Sequence, residues 1–297
     1  MSEVKGNAMD KKYISEMLSI IKKSDMQLRE IEIRDIEYAD DKSKKSTMYI
    51  EIVESLCMGA SLSKSWIVQN QLIFLLFDGY LEDMYLMEEG TSFKYRYEKV
   101  PETSNMDIVR KNCYRIMKIF RNAITHNLSH IEVTKSGYKI GYKNKKNQTI
   151  CLEITEASVQ TLYALIIALV EDRIEKVHTK GHFEGFLLSF YNELLQGIGA
   201  LEDDINEPLI PLKESFVVYN TSVRCRILNP RMVCQEDEWK IERYVPASSE
   251  ACDYMIVQGE ERYLIPEEIM ILSDDYFRLK KCELKEMWKI TGEAGRL

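Results

Sequence analysis

The stretch KNCYRIMKIFRNAITHN, residues 111–127, decides the fold expected for the middle of the chain. Apolar residues recur through it, and just before it, at the spacing of one helical face. They are Met106, Val109, Cys113, Ile116, Met117, Phe120 and Ile124. Ser104, with Asp107 three residues later, has the pattern of an N-terminal capping box. The sequence therefore predicts a long amphipathic helix that begins near Ser104.

Arg121, Asn122 and His126 lie beside the apolar stripe, near the end of this helix. Their spacing resembles the Arg-(four to six residues)-His motif of the HEPN superfamily, which usually has a polar residue directly after the arginine. Members of that superfamily are helical bundles, and many are metal-independent RNases of toxin, abortive-infection and anti-phage systems. The resemblance covers about residues 64–201, where the apolar pattern is mostly helical.

The residue types suit metal-free RNA cleavage, in which a 2′-hydroxyl attacks the adjacent phosphate. An imidazole can take up and release a proton near neutral pH. A guanidinium binds phosphate oxygens in a bidentate fork and keeps its charge. The resemblance implies that His126 is the general acid/base, that Arg121 binds the phosphate and that Asn122 positions them. It implies a 2′,3′-cyclic phosphate product and no cofactor or metal.

Helix geometry raises a difficulty, because residues five apart are separated by roughly 140° on an ideal helix. Arg121 and His126 would then flank the stripe without meeting. Either the helix ends or tightens near His126, with Asn127 as a left-handed C-cap, or motif helices of two subunits face each other. HEPN RNases resemble the second case, so a homodimer with a composite site is expected. The alternative interpretation is that these residues serve helix capping and the helix dipole.

Basic and aromatic residues alternate on both sides of the predicted helix, a composition typical of single-stranded RNA binding. The candidate RNA-binding residues are Tyr95, Arg96, Lys139, Tyr142, Lys143, Lys145 and Lys146. A lysine-rich hairpin tip that keeps a sheet edge soluble is the alternative for residues 138–146. Position 128 holds Leu, where one HEPN branch has a Tyr that is adenylylated, so an adenylylating partner is not implied. An inhibitor or trigger protein is expected, because a constantly active RNase would be toxic.

The pattern along the chain predicts a mainly α fold: a HEPN-like helical bundle with a small inserted β-hairpin or sheet, followed by a small α+β domain. The predicted domains are 1–45 (a helix and a charged linker), 46–204 (the bundle, with the β insert at about 130–154) and 205–297 (the accessory domain). Helices are expected at 9–26, 48–58, 65–87, 155–176, 182–198 and 274–289. Strands are expected at 215–220, 222–228, 239–244, 253–258 and 262–266.

Composition sets outer limits on function. The 297 residues carry a net charge of −8, which argues against a broad, nonspecific nucleic-acid footprint. The longest apolar runs are too short to span a bilayer and the N-terminus has no signal core, so a cytoplasmic protein without membrane contact is expected. Seven scattered cysteines form no C-x-x-C pair. Besides an RNase, a non-catalytic HEPN-like scaffold and a plain helical interaction protein with a chance motif remain open.

Overall fold

The computed structural model describes residues 8–23, 29–38, 45–54, 65–88, 90–126, 128–175, 179–213, 219, 223–245 and 251–290. Its helices are α1 (Ala8–Lys23), α2 (Trp66–Tyr85), α3 (Phe93–Lys99), α4 (Asn105–His126), α5 (Glu156–Glu175) and α6 (Lys180–Gln196). Its first strands are β1 (Arg29–Tyr38), β2 (Lys45–Glu54), β3 (Ile131–Val133), β4 (Gly137–Lys143), β5 (Thr149–Thr155) and β6 (Ile198–Glu202). The remaining strands are β7 (Val223–Ile227), β8 (Met232–Gln235), β9 (Glu238–Glu242), β10 (Ala251–Gln258), β11 (Glu261–Pro266), β12 (Ile271–Ser273) and β13 (Tyr276–Lys280).

The chain divides into two compact units, each built from three segments. Unit 1 comprises Met1–Glu30, Val53–Lys176 and Phe190–Ser215, and unit 2 comprises Ile31–Ile52, Val177–Ser189 and Phe216–Leu297. Within the described residues, no helix combines the length and the apolar character needed to cross a membrane.

The prediction of a mainly α protein, a helical bundle with one small β insert, is wrong. The described strands form three sheets, with the orders β3-β4-β5-β6 in unit 1 and β1-β2-β7-β10-β11 and β12-β13-β9-β8 in unit 2. Strand pairing therefore organises both units, whereas the sequence pattern indicated it mainly after residue 205.

Two predicted helices are strands instead. Part of 48–58 belongs to β2, which pairs antiparallel with β7 about 175 residues later in the chain. Part of 274–289 forms β13, whose buried Phe277 and Leu279 alternate with exposed neighbours, and two short 3₁₀ turns follow it. Apolar periodicity cannot separate helix from strand in such short segments. Strand β1 lies within the expected linker. The charge run of that linker, residues 40–45, falls outside the described residues except for Lys45, which begins β2. Residues 215–218 and 220 of the first predicted C-terminal strand also fall outside them.

Helix α4 is confirmed, together with its predicted cap. The Asp107 N–H donates to Ser104 Oγ, and the Ser104 N–H donates to Asp107 Oδ2, both at 3.1 Å. The predicted apolar stripe is buried along its length up to Phe120, with Ile124 partly buried. Helix α2 packs against α1, α4 and α5, and α4 also contacts α3 and β4 within unit 1.

A polar seam along α4 binds the extended segment 203–213. Its four helix residues are Asn105, Asn112, Arg115 and Lys118. The Asn112 side chain donates to Ile210 O at 2.9 Å and accepts from Ile210 N at 3.1 Å. Since the seam satisfies backbone groups of a segment without regular structure, it fixes that segment on the helix surface.

The predicted strands after α4 are confirmed, and a fourth strand joins them. β3, β4 and β5 form antiparallel pairs, as expected for residues 130–154. β6, which follows α5 and α6 in the chain, pairs antiparallel with β5. The sheet is thus larger than the hairpin that the local pattern indicated.

Unit 2 contains a buried ionic network. Arg224 and Asp253 are both fully buried, and Arg224 Nη2 donates to Asp253 Oδ1 at 2.7 Å. Arg224 Nη1 also donates to Glu268 Oε1 at 2.6 Å, and His182 Nε2 lies 3.3 Å from Asp253 Oδ1. Burial alone would raise the pKa of Asp253, but Arg224 and His182 outweigh it and hold that pKa well below its usual value.

Candidate active site

Arg121 and Asn122 lie side by side near the end of α4, half-buried in unit 1. Arg121 Nη1 donates to Asn122 Oδ1 at 3.0 Å, and the guanidinium carbon lies 5.9 Å from the centre of the Phe74 ring. Among the described residues, no carboxylate lies within ion-pair distance of Arg121. Apart from the Nη1 bond to Asn122, no hydrogen bond of this guanidinium involves a described residue.

A cavity of about 260 Å³ opens beside this pair, among α2, α3 and α4. Its lining combines aromatic rings with cationic and hydrogen-bonding groups: Phe74, Asp78, Thr91, Phe93, Arg96, Tyr114, Lys118, Arg121 and Asn122. We refer to it as the α4 cavity. Its chemistry suits a ligand that has both a flat apolar part and a negative charge.

The wall of the α4 cavity includes an internal ion-pair cluster. Arg96 pairs with Asp78 and Glu82, and the Tyr114 hydroxyl donates to Asp78 Oδ1 at 2.5 Å. Burial and the Asp78 carboxylate raise the pKa of Tyr114 above its usual value, so the phenol keeps its proton. Arg96 was expected to bind RNA directly, but its charge is balanced inside the protein by these two carboxylates.

Lys118 is a component that the sequence reasoning missed. Its ammonium lies 4.2 Å from the centre of the Phe93 ring and donates to Asp204 Oδ1 at 2.5 Å. With Asn122 it also lines a second, smaller cavity of about 50 Å³, next to Tyr142. The available signal was its position three and four residues before Arg121 and Asn122, which places it on the same side of a helix.

His126 is the last residue of α4, and its side chain is exposed. It lines neither of the two cavities at Asn122. Within the described part of the chain, no hydrogen bond or ion pair involves its imidazole. Asn122 and His126 are four residues apart and share a helix face. The C-cap proposed at Asn127 lies outside the described residues.

The hairpin of β4 and β5 presents most of the expected RNA-binding residues. Lys143, Lys145 and Lys146 are exposed, while Lys139 donates to Glu153 Oε1 at 3.0 Å. The Asn144 side chain accepts from the N–H groups of Lys146 and Gln148 and shapes the turn that carries the lysines.

Tyr142 and Tyr95 are both half-buried. The Tyr142 ring stacks on His130 with 4.7 Å between centroids, and Tyr142 and Asn122 line the same cavity of about 50 Å³. Burial raises the pKa of Tyr142. Tyr95 lies on α3, with the Lys99 ammonium 5.3 Å from its ring centre. Asn122 thus connects the hairpin to Arg121, whereas Tyr95 does not line the α4 cavity.

Comparison with known proteins supplies no relative on which to base a function. No protein-family model matches the chain, and neither a curated protein nor a solved structure matches it.

Proposed function

We propose that the chain is a cytoplasmic, metal-independent endoribonuclease of the HEPN type, acting as a toxin or anti-phage defence effector. It cuts RNA by attack of a 2′-hydroxyl on the adjacent phosphate. Its partners are RNA, a second copy of the chain, and an inhibitor or trigger protein that restrains the activity in its host.

The state of Arg121 carries this proposal. The other arginines described in unit 1 with their side chains are Arg96, Arg110, Arg115 and Arg173, and each pairs with an aspartate or glutamate. Arg121 has no such partner among the described residues, although it lies beside a cavity rather than on an open surface. A half-buried cation without an internal counter-charge favours an anionic ligand, and a phosphate fits its fork.

The chemical roles follow from the groups present. Arg121 binds the non-bridging phosphate oxygens and stabilises the charge that grows on them in the transition state. An imidazole takes the proton of the 2′-hydroxyl as the 2′-oxygen bonds to phosphorus, and the imidazolium so formed gives a proton to the 5′-oxygen as its bond to phosphorus breaks. His126 supplies that imidazole. Because it lines neither cavity, we propose that it acts on RNA held jointly with the motif helix of a second copy.

The test is cleavage of a mixed RNA pool by the purified protein in excess EDTA. Wild type should cut and leave 2′,3′-cyclic phosphate ends, whereas Arg121→Ala and His126→Ala should each lose at least about 100-fold in rate. Arg231→Ala is the matched control, because Arg231 is an exposed arginine of unit 2. Equal cutting by all four proteins would contradict the assignment.

A non-catalytic protein-interaction module is the second candidate, and the exposure of two neighbouring side chains favours it. His126 is exposed, and 48% of the surface of Leu128 is exposed beside it. Growth arrest on expression separates the two functions if purified protein does not cut. Arrest by wild type and not by His126→Ala supports an RNase that needs a trigger, while equal growth of both strains supports the interaction module.

A further inference from the structure

We infer that the α4 cavity binds one nucleotide, with its base against Phe93 and Phe74 and its phosphate between Arg121 and Lys118. Within an RNA strand this nucleotide would flank the cleaved phosphate, a placement that rests on the proposed function. The site itself requires only the chemistry of a nucleotide, whether free or part of a strand.

Aromatic rings form one wall of the cavity. Phe93 stacks on Tyr114 with 4.6 Å between centroids and a 29° interplanar angle, and Phe74 lies 6.1 Å from Tyr114 at 11°. Phe74 and Phe93 are only partly buried, so both rings keep surface that a ligand can cover. A partly exposed aromatic platform next to cations is the arrangement by which proteins stack bases without reading their sequence.

Two cations beside these rings supply the phosphate contact, since Lys118 lies over the Phe93 ring and Arg121 over the Phe74 ring. Arg121 has no carboxylate partner among the described residues, and the Lys118 side chain is only 12% exposed above the Phe93 ring. Lys118 is held by Asp204, whose side chain is 40% exposed and can be hydrated when a phosphate takes its place. Asp78 and Glu82 pair with Arg96, and Asp204 pairs with Lys118, so Arg121 is the lining cation without a carboxylate partner among the described residues.

Size limits the ligand to a single nucleotide. The cavity of about 260 Å³ lies just below the usual range of ligand pockets, about 300–1,000 Å³. A longer strand must therefore leave it. Lys118 and Asn122 also line the 50 Å³ cavity at Tyr142, so a strand that leaves past them meets the hairpin next.

The experiment measures binding in the His126→Ala background, which prevents cleavage. The probes are adenosine 5′-monophosphate, inorganic phosphate and a labelled six-nucleotide RNA. Phe93→Leu removes the ring and keeps apolar volume, and Phe183→Leu is the control, because Phe183 is a partly buried phenylalanine of unit 2 that does not line the cavity. Lys118→Met tests the charge independently, and circular dichroism checks that each variant is folded.

We expect Phe93→Leu and Lys118→Met to weaken nucleotide binding at least tenfold, and Phe183→Leu to change it less than twofold. If only the RNA binds, and Phe93→Leu and Lys118→Met weaken that binding, the site holds a nucleotide within a strand. If the monophosphate binds with the same dependence on Phe93 and Lys118, the site accepts a free nucleotide. Equal binding by the Phe93→Leu and Phe183→Leu proteins, or binding of neither nucleotide probe, would overturn the inference.

Failure of this inference and failure of the proposed function give different results. Nucleotide binding that depends on Phe93, in a protein that never cuts RNA, would contradict the RNase function and support the nucleotide site. Cleavage that depends on Arg121 and His126, with nucleotide binding unaffected by Phe93→Leu, would contradict the nucleotide site and support the RNase function.

Discussion

Arg115 and Asp203 form a fully buried, two-bonded ion pair in unit 1. Arg115 Nε donates to Asp203 Oδ2 and Nη2 donates to Asp203 Oδ1, each at 2.8 Å. The same guanidinium donates to the carbonyl oxygens of Glu207 and Pro208. The pair therefore holds segment 203–213 on α4, and with it Asp204, the counter-charge of Lys118 in the candidate site.

Asp203→Asn should lower the free energy of unfolding by about 3–5 kcal/mol, because it leaves the Arg115 charge buried without its carboxylate. Asp204→Asn is the matched control in the next position. Its pair with Lys118 is partly exposed, so the expected loss is under about 1 kcal/mol. Urea unfolding followed by circular dichroism measures both. Similar losses for the two variants would show that burial of the Arg115 pair adds nothing.

The capping carboxylate Asp107 should make unit 1 sensitive to acid. Burial tends to raise the pKa of Asp107, but hydrogen bonds from Thr103, Ser104 and Tyr85 outweigh it and lower that pKa. Because the folded-state pKa of Asp107 is lowered, the stability that its charge contributes is fully present above the unfolded pKa of about 3.9. That stability is lost as pH falls through the folded-state pKa. Asp107→Asn should therefore be less stable than wild type at pH 7, and the difference should shrink below pH of about 4.

Midpoints of urea unfolding from pH 7 down to pH 3 measure this difference. Asp275→Asn, a change at an exposed aspartate, controls for the general effect of removing a negative charge. A gap between Asp107→Asn and wild type that stays constant across this range would contradict the role of the Asp107 charge.

Two glycines of β4 should respond oppositely to alanine. A Cβ atom on Gly137 would lie 2.1 Å from Ile154 O, whereas a Cβ atom on Gly141 would meet nothing within 4 Å. Gly137→Ala must shift the backbone of the paired strand and should cost at least about 2 kcal/mol. Gly141→Ala should be neutral or stabilising by up to about 1 kcal/mol, because it reduces the freedom of the unfolded chain. Thermal unfolding of both variants tests the β4–β5 register, and equal melting temperatures would contradict it.

Asp253→Asn should destabilise unit 2 by about 3–5 kcal/mol, because it removes a charge partner from the fully buried Arg224. Glu268 still pairs with Arg224, so the variant should fold at low temperature. Asp274→Asn, at an exposed residue of the same unit, is the control and should change stability by less than about 0.5 kcal/mol. Hydrogen exchange of β7 and β10 amides measures the effect directly. Unchanged exchange in these strands would show that the Arg224–Asp253 pair does not stabilise them.

Parts of the fold with local signals were predictable from the sequence. The capping residues Ser104 and Asp107 lie within one turn, and the β4 and β5 strands are separated only by the turn at 144–148. The same local pattern misled at β2 and β13, whose identity depends on distant partners: β2 pairs with β7, and β13 pairs with β9. Because these partners are distant in the chain, a short window of sequence contains no signal of the pairing.

The candidate site shows the same division. Arg121, Asn122 and His126 were found because they lie within six residues of one helix. Lys118 and the rings of Phe74 and Phe93 were not, because the cavity that unites them with Arg121 forms only where α2, α3 and α4 meet. The charge of Arg96 is balanced by Asp78 and Glu82 of another helix, so these ion pairs also could not be predicted from the sequence.

The position of β6 in the chain, after α5 and α6, determines which fragments of this chain can keep the sheet intact. β6 lies at the sheet edge and pairs with β5, yet two helices separate these strands in the chain. Excising the β3–β5 hairpin as a removable cassette would strip β6 of its neighbour and expose its backbone as a template for aggregation. The shortest fragment that retains every strand of this sheet spans residues 131–202, with both helices inside it.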